Sequence, residues 1–427
     1  MRALRLRATS IVLLMLCLMY FITYLDRVNV STAAAGFAAE FGLSRTEIGL
    51  VFSAFAYPYL VFQIIGGWVS DKFGARRTLI WCGLLWAVAT ILTGLAGGLV
   101  SLLLARLLLG LGEGATFPAA TTAMSRWVSK DRRGFAQGIT HAFSRVGNAV
   151  APAAIVLVMS VYGWRQAFYI CGIFSLVWVI VWALVFTEDP AAHPRITEAE
   201  LADLPATRKS KPQVPWGPLF KRMLPVTIVY FCYGWTLWLF LSWIPQYFLH
   251  SYNLAIQKSA LFASSVFLAG VIGDTLGGLI SDRILRRTGN LRKARSIMVS
   301  VCMFLTLLSL LPLLFVHDLT ICTLALSAGF FFAEMTIGPM WALPMDIAPE
   351  YAGTASGMMN SGSALAAIIS PVLSGFVIDR TGNWELPFLG SMLLMALGMV
   401  LAYRLQPDQK FETQLPSARH KPMKVGV

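Results

Sequence analysis

Seven ionisable side chains stand in stretches that are otherwise apolar: Asp26, Arg27, Arg106, Glu113, Arg145, Asp274 and Glu334. A charge held in hydrocarbon is costly, so each is a functional candidate by position alone. Arg106 and Glu113 stand seven residues apart in Ala105-Arg106-Leu107-Leu108-Leu109-Gly110-Leu111-Gly112-Glu113-Gly114. That is two helical turns, so they share a face. An arginine fork suits a carboxylate or sulfonate. A carboxyl group taken out of water is more easily kept neutral, which suits carrying a proton. Asp26 and Arg27 are adjacent, diverge by about 100° on a helix and can face different partners; the alternative is that both reach the outer surface. Arg145 either neutralises Glu113 across the interface or holds an anion. Glu334 takes a coupling or substrate role. Asp274, eight residues before Asp282, reads as a gate or helix-end partner on the cytoplasmic side. In the aromatic stretch Tyr230 to Tyr247, Tyr233 and Trp238 read as cavity residues. Trp243 and Tyr247 read as an interfacial belt.

The elements that position these residues are membrane spans. The chain has 427 residues, 57% hydrophobic and 13% charged, against about a quarter charged in soluble proteins. A span needs about 20 apolar residues, and twelve can be placed: roughly 10–32, 46–69, 78–98, 100–124, 135–162, 166–187, 224–249, 258–280, 295–316, 319–345, 353–379 and 384–404. Of the 34 Lys and Arg, 27 fall in the N-terminus, the loops after even-numbered spans and the C-terminal tail, and four (Arg45, Arg165, Lys258, Arg380) on the other side. Positive residues stay inside, so both termini are expected in the cytoplasm of an inner-membrane, multi-pass protein. The same rule explains the net charge of +13 without nucleic acid. The six cysteines lie in apolar segments with no CxxC pair, which points to no metal, disulfide or cofactor.

A motif recurs at half-length. Gly67-Trp68-Val69-Ser70-Asp71-Lys72-Phe73-Gly74-Ala75-Arg76-Arg77 is echoed by Gly278-Leu279-Ile280-Ser281-Asp282-Arg283-Ile284-Leu285-Arg286-Arg287. The repeat predicts two related bundles. Its glycines allow close helix approach, and Asp71, Arg76, Asp282 and Arg283 can tie neighbouring helix ends together around Gly67 and Gly74. The expected organisation is a bundle over 1–187, a cytoplasmic linker over 188–223 with a short helix near Thr197-Glu198-Ala199-Glu200-Leu201, a second bundle over 224–405 and a loose tail over 406–427.

Over nearly its whole length the chain resembles the major facilitator superfamily, and more narrowly its anion:cation symporter family, which includes galactonate and hexuronate transporters and phthalate permeases. The loop motif and its echo carry the first resemblance. Tyr24-Leu25-Asp26-Arg27-Val28-Asn29, Phe52-Ser53-Ala54-Phe55-Ala56-Tyr57, Gly112-Glu113-Gly114-Ala115-Thr116-Phe117-Pro118, Leu237-Trp238-Leu239-Phe240-Leu241-Ser242-Trp243 and Gly357-Met358-Met359-Asn360 carry the second. The resemblance implies an all-α membrane protein, twelve helices in two pseudo-symmetric six-helix bundles, that imports an organic anion with protons by alternating access. It implies proton coupling at Asp26 and Glu113, and substrate binding or coupling at Arg27, Tyr59, Arg106, Trp341 and Asn360. Where galactonate transporters have a glutamine in span five, this chain has Ser144-Arg145; where they have a serine in span ten, it has Gly338-Pro339. Both changes touch the expected cavity and leave room for a smaller or more acidic anion.

The leading expectation is a monomeric proton symporter for a small organic anion: a carboxylate, sugar acid, aromatic acid or sulfonate. An anion exchanger is the alternative, since it needs the arginines but not Asp26 and Glu113. A membrane sensor would carry a larger cytoplasmic module. An enzyme is not expected, because no nucleophile–base pairing, metal spacing or phosphate loop is present.

Overall fold

A computed structural model describes residues 7–43, 45–205, 213–252 and 256–411. The basic residues Arg2 and Arg5, the linker residues Arg208, Lys209 and Lys211, and most of the tail lie outside the described residues. Among the described residues there is no strand. Twelve helical stretches are long and apolar enough to cross a membrane, numbered here as spans 1 to 12: Ala8–Ala34, Leu50–Phe73, Ala75–Gly94, Leu99–Trp127, Lys130–Tyr162, Trp164–Val185, Trp216–Ile244, Leu261–Thr288, Lys293–Leu314, Leu319–Ile347, Pro349–Ile378 and Leu386–Arg404. Each overlaps the span expected from the sequence.

The two halves repeat each other's packing. Span 1 lies on 5 as 7 lies on 11, span 3 on 6 as 9 on 12, and span 2 on 4 as 8 on 10. Between the halves, span 2 meets 11 and span 8 meets 5. The symmetry extends to a break in the helix. Span 4 is two helices, Leu99–Gly114 and Thr116–Trp127, and span 10 is likewise Leu319–Glu334 and Ile337–Ile347. Glu113 and Glu334 each stand at the break.

The glycines of the repeated motif lie where the halves touch. A Cβ on Gly67 would collide with the Gly353 carbonyl, and one on Gly278 with the Gly134 carbonyl. Only bare backbone lets spans 2 and 11, and 8 and 5, come this close. The motif aspartates then act as matched caps. Asp71 accepts the amides of Gly353 at 2.9 Å and Thr354 at 2.7 Å, at the start of the helix Ala352–Thr381. Asp282 accepts those of Gly134 at 3.1 Å and Phe135 at 2.6 Å, at the start of Arg133–Tyr162. In each case the aspartate of one half satisfies the second and third orphan amides of a helix in the other half, and meets the positive end of its dipole.

Gly74 turns the chain between spans 2 and 3 at φ 93°. The Arg76 side chain donates to the Ala183 carbonyl within the same half. Arg283, expected to share the tying role, is exposed. Arg295 takes that place, bonding Asp282 at 2.9 Å and Asp346 at 3.1 Å, and Arg133 reaches Asp346 from the other half at 2.9 Å. Their depth explains the difference: Arg295, Asp282, Asp346 and Arg133 are all buried. Between spans 6 and 7, Thr197 and Glu200 form a capping box on the short helix Glu198–Asp203. Glu200 also accepts both the backbone amide (3.2 Å) and hydroxyl (2.9 Å) of Thr9 at the start of span 1.

Candidate functional site

The first-half site is built on the break in span 4. There Glu113 is fully buried and its Oε2 accepts from Arg27 Nε at 2.6 Å. The Arg27 guanidinium carbon lies 4.8 Å from the ring centres of Tyr24 and Tyr59, 5.1 Å from Phe55 and 5.2 Å from Phe117. Four ring faces thus hold the cation, each favourable to it. Arg106 approaches the same Phe55 ring at 5.2 Å, is buried, and its Nε has no hydrogen-bond partner among the described residues. The expected shared face of Arg106 and Glu113 is consistent with this, but the bond to Glu113 comes from Arg27. Asp26 turns the other way, accepting from Ser175 of span 6 at 3.1 Å. It is 2% exposed, so the alternative in which it reaches the outer surface does not hold.

A second ionic group spans the two halves. Arg145 of span 5 donates from Nη2 to Glu334 Oε2 at 2.9 Å, and its Nε lies 3.7 Å from Asp274 Oδ2. Tyr233 OH lies 3.0 and 3.1 Å from the two Glu334 oxygens. The reading in which Arg145 neutralises Glu113 is therefore corrected: Arg27 occupies that acid, and Arg145 crosses instead to spans 8 and 10. Asp274 is likewise not at a helix end. It lies two turns inside the Asp282 cap and is fully buried. Arg145 also sits over the Tyr24 ring at 5.8 Å, so one tyrosine lies between the two ionic groups.

Between them runs a polar and aromatic layer. Asn360 Nδ2 donates to Gln63 Oε1 at 2.9 Å and approaches Tyr59 OH at 3.5 Å, joining spans 11 and 2. Trp341 Nε1 donates to Tyr230 OH at 2.7 Å, and its ring meets Phe117 edge-on at 6.1 Å between centres. Tyr59, Arg106, Trp341, Asn360, Arg27, Arg145 and Tyr233 are thus brought to one central region. Trp238 is not. It stands five residues beyond Tyr233, on another side of the helix, and its Nε1 has no hydrogen-bond partner among the described residues. Tyr247, expected in a belt, is buried against Phe388 at 5.3 Å. Gln63 and His141 were not singled out from the sequence. Gln63 could have been, since it precedes Asp71 by the same eight residues that separate Asp274 from Asp282.

The Major Facilitator Superfamily model matches residues 16–371. The chain belongs to this superfamily. Its members are transporters rather than enzymes. Among relatives, the probable sulfoacetate transporter of Cupriavidus necator is 45% identical over 408 residues, covering 94% of this chain and 95% of that protein. The hexuronate transporter of Bacillus subtilis is 29% identical, covering 88% and 90%. The superfamily's proton:xylose symporter XylE superposes with a TM-score of 0.75 at 15% identity, covering 94% of this chain and 96% of that structure, a likeness of fold.

Proposed function

We propose that this protein imports a small organic dianion of the sulfonated carboxylate class, such as sulfoacetate, together with protons across a bacterial inner membrane. The observation that carries the reading is the Arg27–Glu113 bond inside an aromatic cage, with Arg106 on the same Phe55 ring. Two guanidiniums among aromatic rings suit two acidic groups on a compact molecule. The name of the Cupriavidus necator relative, at 45% identity, supports the same choice of substrate.

The acid on Arg27 supplies the coupling. While Glu113 is ionised, it competes with the anion for Arg27. A proton on Glu113 frees the arginine, so proton and anion favour each other's binding, and the linkage is reciprocal. Asp26, buried on the far side of span 1, is the proposed companion proton site. Glu334 is proposed as a further coupling acid. Arg145, Tyr233, Tyr59, Trp341 and Asn360 are proposed to close around the substrate as the halves 1–187 and 224–405 rock about it, the linker 188–223 joining them. The motif end, with both termini, is assigned to the cytoplasm by its basic residues, and its caps hold it shut while the substrate enters from outside.

The test is uptake into proteoliposomes of a labelled panel: sulfoacetate, a hexuronate, galactonate and an aromatic dicarboxylate, with and without an imposed pH gradient at clamped membrane potential. Sulfoacetate accumulating only with the gradient is expected. Accumulation that ignores the gradient would leave an exchanger instead.

A further inference from the structure

The cross-half cluster is unbalanced. One guanidinium, Arg145, faces two carboxyl groups, Glu334 at 2.9 Å and Asp274 at 3.7 Å, and all three are at most 4% exposed. With both acids ionised the group carries one negative charge in a dry place, and one proton makes it neutral. We infer that Asp274 and Glu334 together bind one transported proton at the seam between the halves, a site separate from Glu113 and Asp26 of the first half. The inference rests on the symport reading above.

Geometry places the proton on this pair. Neither Asp274 oxygen receives a hydrogen bond from a donor among the described residues, and Arg145 Nη1 is likewise without an acceptor there. Glu334 already has a full-strength bond from Arg145 and the Tyr233 hydroxyl at both oxygens. The other titratable groups at hand are Tyr233 and Tyr230 from span 7, Tyr24 from span 1 under Arg145, and His141 one turn from Arg145 on span 5, whose Nδ1 lies 2.9 Å from the Gln137 carbonyl; no second arginine or lysine is among them. The two carboxyl groups share the proton, and it belongs to the pair rather than to either residue.

Eight residues before its motif aspartate, the first half has Gln63, which meets Asn360 across the seam through a neutral bond at 2.9 Å. At the matching position the second half has Asp274, which meets Arg145. The repeat shows that a neutral amide serves the packing there. The ionisable group at 274 adds something packing does not require.

The seam location gives the proton a way out. Gly138 allows span 5 to lie against the Asp274 carbonyl. When the halves part at the motif end, Arg145 leaves with its own half and water reaches both acids. Each can then ionise, and the proton leaves to that side. Closing the halves again demands a proton before the pair can be buried with a single arginine.

The experiment is the slope of accumulation against pH gradient for labelled sulfoacetate in proteoliposomes at zero membrane potential. Each coupled proton multiplies accumulation by about tenfold per pH unit. Asp274→Asn is expected to keep counterflow exchange and to lose one proton of slope, about tenfold less accumulation at a gradient of one unit. Glu334→Gln, which leaves the same one-to-one charge balance, is expected to lose the same proton and reports it if Asp274→Asn folds poorly. A nonzero wild-type slope unchanged by either substitution overturns this inference and leaves the symport reading standing. A wild-type slope of zero overturns the symport reading and this inference with it.

Discussion

Replacing Glu113 by glutamine tests the competition for Arg27. The wild-type bond is a single charge-assisted contact of 2.6 Å to a fully buried carboxylate, from an arginine whose side chain is 13% exposed. Hydrogen bonds to charged groups contribute about 1.5–3 kcal/mol, and neutral ones roughly 0.5–1.5. An anion that takes Arg27 from an ionised Glu113 must break a bond ionised on both sides; in Glu113→Gln it breaks one from the same cation to a neutral amide, which lacks the charge–charge attraction and lies between these two classes. The difference is about 1–1.5 kcal/mol, or roughly five- to tenfold in affinity. Glu113→Gln should therefore bind sulfoacetate roughly five- to tenfold tighter than wild type at alkaline pH, with the gap closing as the pH falls. Calorimetric titration in detergent across pH 5 to 9 would read this directly. The same variant should exchange labelled for unlabelled anion in counterflow yet fail to accumulate it against a gradient. Wild-type affinity that does not weaken with rising pH, or undiminished gradient-driven accumulation by Glu113→Gln, would refute the reasoning and shift coupling to Asp26.

Arg106→Lys should raise the apparent KM at least about tenfold, because an ammonium cannot reproduce the planar fork on Phe55; uptake kinetics check this, and an unchanged KM removes Arg106 from the site. A reporter active only in the periplasm, fused after Val427, should be silent, and a strong signal would invert the proposed orientation. Gly278→Val should hold the halves apart at the motif end, since even a Cβ would collide with the Gly134 carbonyl. Cysteine labelling near Gly134 should then rise several-fold relative to wild type, while labelling that stays the same would mean the seam accommodates the side chain.

The twelve spans and the duplication were readable because hydrocarbon imposes a coarse rule on every residue. Length, polarity and the sidedness of Lys and Arg all report one solvent. Which charges meet was not readable in the same way. Arg106 and Glu113 share a helical face, which periodicity showed, but periodicity did not show that Arg27 is the arginine bonded to Glu113. The break after Gly114 lets the Arg27 side chain from span 1 reach that acid. Arg145 could not be assigned a partner because its contacts lie 129 and 189 residues away on spans 8 and 10, and no local pattern encodes that distance. Arg283 shows the converse limit: it sits in the motif, yet the buried ion pair falls to Arg295, outside the motif and in from the surface.

Glu113 and Glu334 stand at the same break in spans 4 and 10, yet their arginines come from different places. Arg27 belongs to the same half as Glu113, so that pair can open and close without the halves moving. Arg145 belongs to the opposite half from Glu334, so that pair cannot survive their separation. One acid thus stands at a helix break in each half, and under the proposed mechanism the choice of partner gives the two different sensitivities: the first to an anion arriving at Arg27, the second to the position of the bundles. Tyr24, which touches both arginines, is where those two responses meet. Shortening it to leucine would leave both ion pairs chemically intact while removing the shared ring. If the ring transmits occupancy from one site to the other, Tyr24→Leu should retain anion binding within about threefold but lose the effect of anion on cysteine labelling at the motif end. If labelling still responds to anion as in wild type, the two sites communicate by another route.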